Sequence, residues 1–185
     1  MIKIAITGNI ASGKSQAERI ISQYYPVFDT DIIAHEILDT LNDFYGLDVF
    51  TNGKIDRKKL GDLVFSDTNI KEKLENLIHP LIKEKLNKIF ELNKDKKYIF
   101  VSVPLLYETD FYKIFDKVLF ISSEEKVRLN RLMKRNSFTE EEAVLRIKSQ
   151  MDESEKIKKA DYIIENNSTI EELKEKVIKF LKSIE

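Results

Sequence analysis

A chain of 185 residues with 42% hydrophobic residues is long enough for one compact unit with a full core and too short for several independent domains. Its 31 basic and 32 acidic residues leave a net charge of -1, so no global field draws it to nucleic acid or to an anionic membrane, and phosphate binding has to be local. The absence of cysteine excludes disulfides, thiolate metal sites and a thiol nucleophile.

The chain enters MIKIAIT without a basic, then long apolar, leader, and no later run reaches the ~18 apolar residues of a membrane span; a cytoplasmic protein with no membrane partner is expected. Residues 2–6 are near-continuously apolar and predict a buried strand. Directly after them come Gly8, Asn9, Ile10, Ala11, Ser12, Gly13, Lys14 and Ser15, which match G-x-x-x-x-G-K-[ST], the Walker A pattern, and a helical pattern follows over residues 15–24. The chemistry needs this order. Glycines let successive amides turn toward an anion, and the helix N-terminus adds partial positive charge. Lys14 is then expected to reach the β and γ phosphates of a nucleotide while the Ser15 hydroxyl binds Mg2+.

Residues 27–28 predict a second strand, followed by Asp29 and Asp31. Such a pair is either an N-cap with a first-turn acid or, beside a phosphate loop, a source of the carboxylate that orients an acceptor hydroxyl. An ordinary aspartate, pKa about 3.9, would take the alcohol's proton late in transfer rather than in the ground state. From 31 to 97 no strand is expected, only helices, with Ile70, Leu74, Leu77, Ile78, Leu81, Ile82, Leu86, Ile89 and Phe90 at helical spacing and Pro80 expected to kink or break them.

Three more strands are predicted at 98–103, 117–121 and 162–164, and capping boxes at Ser122 with Glu125, Thr139 with Glu142 and Ser168 with Glu171. Alternating strands and helices imply an α/β three-layer sandwich on a five-stranded parallel sheet. The expected division is a nucleotide-binding core of 1–30 and 98–185, a helical insertion of 31–97 and a helical lid of 130–159. Among users of a Walker A loop, a GTPase is disfavoured because Asn93, Lys94, Asp95 and Lys96 lack the guanine-reading aspartate and precede a strand, and a motor ATPase is disfavoured by size. A small-molecule kinase leads, with a nucleoside or nucleotide kinase and a nucleotide-dependent binding switch as alternatives.

Seven segments in order resemble the dephospho-coenzyme A kinase family: ITGNIASGKS, FDTDIIAHE, LIHPLI, VPLLYE, RLMKRN, RIKSQM and ADYIIENN. The resemblance implies a P-loop NTPase fold with an inserted helical acceptor domain and a lid. It also implies transfer from ATP, with Mg2+, to the ribose 3′-hydroxyl of dephospho-CoA, as the last step of coenzyme A biosynthesis, and no nucleic-acid partner.

By the same resemblance Asp31 is the catalytic carboxylate, joined by Lys14 and by lid arginines Arg135 and Arg146. His79 and Pro80 belong to the acceptor domain, and Thr7, Pro104, Leu105 and Tyr107 to the acceptor's surroundings. The nucleotide site runs from Gly8 to Gln16, with Asn166 near adenine. The blander alternatives are a structural histidine for His79, an apolar core turn at 104–107 and solvated basic residues at Arg135 and Arg146. Four departures stand out. Asn9 and Ala11 occupy frequent glycine positions, where Asn9 tolerates positive φ and Ala11 needs a compatible backbone. Gln16 replaces a frequent threonine, and Ser102 a frequent acid, which leaves Ser15 as the clearer metal contact.

Overall fold

The structure is a computed structural model, and it describes residues 1–41 and 43–185. Backbone contacts divide the chain into two compact units, Met1–Phe28 with Asp95–Glu185, and Asp29–Lys94.

The first unit is built on a five-stranded sheet whose strands follow the apolar clusters. In chain order the elements are β1 (Ile2–Thr7), α1 (Lys14–Ile21), β2 (Val27–Asp29), α2 (Thr30–Leu38), β3 (Phe50–Thr51), β4 (Lys54–Ile55), α3 (Arg57–Ser66) and α4 (Thr68–Leu92). They continue with β5 (Tyr98–Ser102), a 3-10 turn (Phe111–Ile114), β6 (Lys117–Ser122), α5 (Glu125–Asn136), α6 (Glu140–Lys148), α7 (Glu153–Ile157), β7 (Tyr162–Glu165) and α8 (Ile170–Ile184). The sheet order is β2-β5-β1-β6-β7, with β1 parallel to β5 and β6, and β6 parallel to β7.

Side chains alternate across each strand. One face presents Ile4, Ile6, Tyr98, Phe100, Leu119, Ile121 and Ile164 to Ala17, Ile20 and Ile21 of α1 and to Leu173, Val177, Phe180 and Leu181 of α8. The other face is also buried, through Ala5, Ile99, Val101, Val118 and Phe120. Burial on both sides is why these strands read as continuous apolar runs. Register pairs Ile4 with Phe100, Ile6 with Leu119 and Ile121 with Ile164, so large residues stack in rows.

The second unit corrects the expectation of helices alone and the expectation of a break at Pro80. A hairpin, β3–β4, stands where only helices were expected, with Phe50 opposite Ile55 and Thr51 opposite Lys54. Asn52 and Gly53 close it at φ 52 and 74, the doubly left-handed turn that Asn-Gly favours. Strands of two residues are too short to show periodicity, so that dipeptide was their signal. Pro80 does not break the helix: α4 runs 25 residues through it. Proline removes only the amide that Asn76 O would accept, while Ile82, Leu86 and Phe90, four residues apart, are all buried. Leu38, Phe44, Val49, Ile55 and Leu60 form this unit's core.

Of the expected capping boxes, Thr139 with Glu142 is present, each side chain bonded to the other's backbone amide. The other two are displaced. Glu124 is the N-cap of α5 without a side-chain capping bond to the helix, and Thr169 caps α8 by accepting the Glu172 N–H at 3.2 Å. In ENNSTIEE a serine and a threonine each stand three residues before a glutamate, so spacing alone does not choose between them. Among the described residues no helix is long and apolar enough to cross a membrane.

Candidate active site

The phosphate loop leaves β1 at Thr7 and enters α1 at Lys14. Gly8 is buried because a Cβ there would lie 2.5 Å from Ile121 O and 2.6 Å from Ser12 Oγ. Gly13 is the N-cap of α1 at φ 94 and ψ 16, in the left-handed region. Ala11 shares that region at φ 61, whereas Asn9 does not have positive φ. The backbone demand therefore falls on the alanine and not, as the asparagine suggested, on position 9. Its cost is about 1–2 kcal/mol, opposed by packing: Ile10 and Ala11 lie against Leu132, Ala143 and Ile147 of α5 and α6.

Lys14 Nζ donates to Glu18 Oε1 at 2.8 Å and to Ser102 Oγ at 2.5 Å. Ser102, at the end of β5, is fully buried. It therefore gives the lysine a neutral partner where an acid would have been a second anion. Ser15 is exposed on the first turn of α1 and Gln16 is half-buried.

Arg131 and Asn166 support the loop from behind. Asn166 Nδ2 donates to Ser12 O at 2.7 Å, and Asn166 Oδ1 accepts from Arg131 Nη2 at 3.4 Å. Arg131 Nη1 lies 3.4 Å from Ala11 O, 3.3 Å from Ser12 O and 3.3 Å from Ser123 Oγ. Burial lowers the guanidinium's pKa. Asn166, expected near adenine, thus has its side-chain amide committed to the loop's backbone. Arg131 was not among the expected site residues, although Arg128, Arg131 and Arg135 share one helical face by their spacing. Arg135 is exposed, with Nε donating to Asn136 Oδ1 at 2.9 Å. Arg146 is exposed with its guanidinium 5.9 Å from the Phe138 ring centroid.

Gly13→Ala tests this support. The new methyl would sit 2.0 Å from Asn166 Nδ2 on a strained backbone, so it displaces a buried hydrogen bond as well as adding strain. The expected loss is about 2–4 kcal/mol, read as a melting temperature lowered by roughly 5–15 °C.

Thr7 and Tyr107, expected near the acceptor, face inward. Thr7 is fully buried and its hydroxyl donates to Pro104 O at 3.4 Å. Tyr107 is 7% exposed, with its ring 5.9 Å from that of Tyr112 and Lys159 Nζ 5.6 Å from its centroid. Among the described residues its hydroxyl has no hydrogen-bond partner, and burial, then Asp161, push its pKa up to about 12. Of that loop, Pro104 is half-buried and Leu105 is 44% exposed.

In the second unit Asp29 caps α2, its Oδ1 accepting the Asp31 N–H at 2.7 Å, and Asp31 is an exposed first-turn residue. His79 lies mid-way along α4, half-buried, with Pro80 exposed beside it. Burial lowers the pKa of His79, Glu75 opposing and Lys83 adding to the effect. The unfolded chain, near 6.5, then binds a proton first, so this contribution is present above about pH 6.5 and is lost as pH falls through the lower folded value. Thermal melts from pH 7.5 to 5 are expected to show a smaller decline in His79→Gln than in the wild type.

A family model described as dephospho-CoA kinase matches residues 2–172. The chain belongs to the dephospho-CoA kinase family. It is 38% identical to the dephospho-CoA kinase of Lactobacillus johnsonii over 193 aligned positions, 98% of this chain and 97% of the relative. It is 40% identical to that of Fusobacterium nucleatum, over 98% and 97% of the two chains. The solved dephospho-CoA kinase from Campylobacter jejuni superposes with a TM-score of 0.76 at 35% identity, over 98% of this chain and 96% of that one. A shikimate kinase from Bacteroides thetaiotaomicron, at 15% identity and a TM-score of 0.57, shares the fold.

Proposed function

We propose that this chain transfers the γ-phosphoryl group of ATP to the ribose 3′-hydroxyl of dephospho-CoA, giving coenzyme A and ADP. Family membership over residues 2–172 carries this reading, and the phosphate loop supplies its chemistry. A bond forms between the ribose oxygen and the γ-phosphorus as the bond to the bridging oxygen of ADP breaks.

The loop amides and the N-terminus of α1 receive the β and γ phosphates. Lys14, held by Glu18 and Ser102, exchanges one of these partners for phosphate oxygen and offsets the charge that spreads over the transferring group. Asp31 orients the 3′-hydroxyl and accepts its proton late. Arg135 and Arg146 are long, exposed guanidinium groups on α5 and α6, suited to forked contacts with phosphate oxygens. His79, Pro80, Pro104 and Leu105 are assigned to the acceptor; Thr7 and Tyr107 shape the 104–107 loop instead.

Mg2+ fits this donor set. Ser15 Oγ is an exposed hard oxygen, and among the described residues no cluster of three or more acidic or histidine side chains forms a protein cage. A magnesium ion held by one hydroxyl, water and substrate phosphates needs none. When bound it neutralises phosphate charge. We place the reaction in the cytoplasm, with its ATP supply.

Mass spectrometry of an incubation with Mg-ATP and dephospho-CoA, beside one without acceptor, tests the assignment. Acceptor-dependent coenzyme A is the expected product; bound ATP with unmodified dephospho-CoA would sink it.

A further inference from the structure

The chain between α6 and β7 makes contacts that a phosphate loop does not require. Gln150 follows the C-cap of α6, and its backbone N–H lies 3.3 Å from Ile147 O, so it is carried on that helix end. Its side-chain Oε1 accepts the Ile10 N–H of the phosphate loop at 2.7 Å. One residue on, Met151 O lies 3.4 Å from Asn9 Nδ2. The amide of Ile10 is thereby directed to a side chain and not to an anion, which fixes the direction in which the loop can curl before Ser12.

The far end of this segment is anchored by buried charge. In α7, Glu153 Oε2 lies 2.9 Å from Arg128 Nη2, and Glu153 Oε1 accepts the Ser123 N–H at 3.2 Å. Arg128, only 4% exposed, also donates through Nε to Ser123 O at 3.0 Å. Three residues after Glu153, the fully buried Lys156 sits 2.6 Å from Glu108 Oε1. Breaking a buried pair by removing one partner is strongly destabilising, so α7 is a fixed post. Gln150, on the α6 side of this segment, reaches from that helix end to the loop.

We propose that Gln150 is a positioning residue for ATP, acting through Ile10: it ties the end of α6 to the phosphate loop and keeps the following amides curved to receive phosphate. The proposal rests on the reading of residues 8–15 as the nucleotide site. A role of this kind affects ATP and not the acceptor, and it needs only an acceptor oxygen at position 150.

Gln150→Met preserves side-chain length and removes that oxygen, whereas Gln150→Glu keeps one. In Gln150→Met, KM for Mg-ATP is expected to rise about fivefold to tenfold, the size of one lost hydrogen bond, with KM for dephospho-CoA unchanged within about twofold. Hydrogen exchange followed by NMR should show the Ile10 amide about tenfold less protected in Gln150→Met and still protected in Gln150→Glu. Unchanged Ile10 exchange in Gln150→Met, or both KM values rising together, would overturn the tether. A wild type that does not bind Mg-ATP would instead remove the nucleotide reading, and the tether with it.

Discussion

Replacing Lys14 with alanine is expected to lower kcat for coenzyme A formation by about 100- to 1,000-fold, the loss measured when one preorganised charge-stabilising donor is removed from a transition state. The ammonium is held at two points, Glu18 Oε1 and Ser102 Oγ, so its position is set before substrate arrives. Its side chain is 14% exposed and that of Glu18 12%, which keeps water from screening it fully. Stability should fall as well, since removing the lysine leaves the largely buried Glu18 carboxylate without its ion-pair partner. Turnover with saturating Mg-ATP, set beside a thermal melt, separates the two effects. Wild-type turnover in a folded Lys14→Ala protein would take the phosphate loop out of the mechanism. Lys14→Arg is no substitute, because a planar fork does not fill the place of a compact ammonium that meets both Glu18 and Ser102.

What the sequence disclosed about this site follows from where the constraints act. The loop was legible because anion binding by backbone requires glycine at Gly8 and Gly13, and the structure shows each confined, one by Ile121 O and the other by Asn166. The three central strands β1, β5 and β6 were legible because burial on both faces leaves long apolar runs. Arg131 and Gln150 were not, because their contacts with the loop are to backbone groups: Ala11 O and Ser12 O for the arginine, the Ile10 N–H for the glutamine. A backbone partner leaves no mark in residue type, so neither contact produces a spacing to read. Lys156 was hidden for the opposite reason, since a lysine within EKIKK reads as solvated until folding buries it against Glu108, 48 residues earlier in the chain. Ala11 was legible only as a departure; the methyl that strains its backbone also joins the α5–α6 cluster.

Asp31→Asn separates the two roles open to an acid in a first turn. Part of its structural role survives: Asp29 holds the Asp31 backbone N–H, which asparagine retains, and losing the favourable charge near the helix N-terminus costs about 0.3–1 kcal/mol. Melting temperature is therefore expected to fall by about 1–4 °C. Its chemical part is large. An amide of the same shape can still orient the 3′-hydroxyl but cannot take its proton, and loss of a positioned general base lowers kcat by about 100- to 10,000-fold. Affinity for Mg-ATP should be retained, since the loop residues that receive phosphate are untouched. Asp29→Ala gives the complementary pattern, a lost cap of about 1 kcal/mol with catalysis affected only through the placement of α2. Steady-state rates and melts for both variants distinguish the cases. Should Asp31→Asn lose a few degrees and keep its turnover, Asp31 is a first-turn acid and the proton leaves by another group.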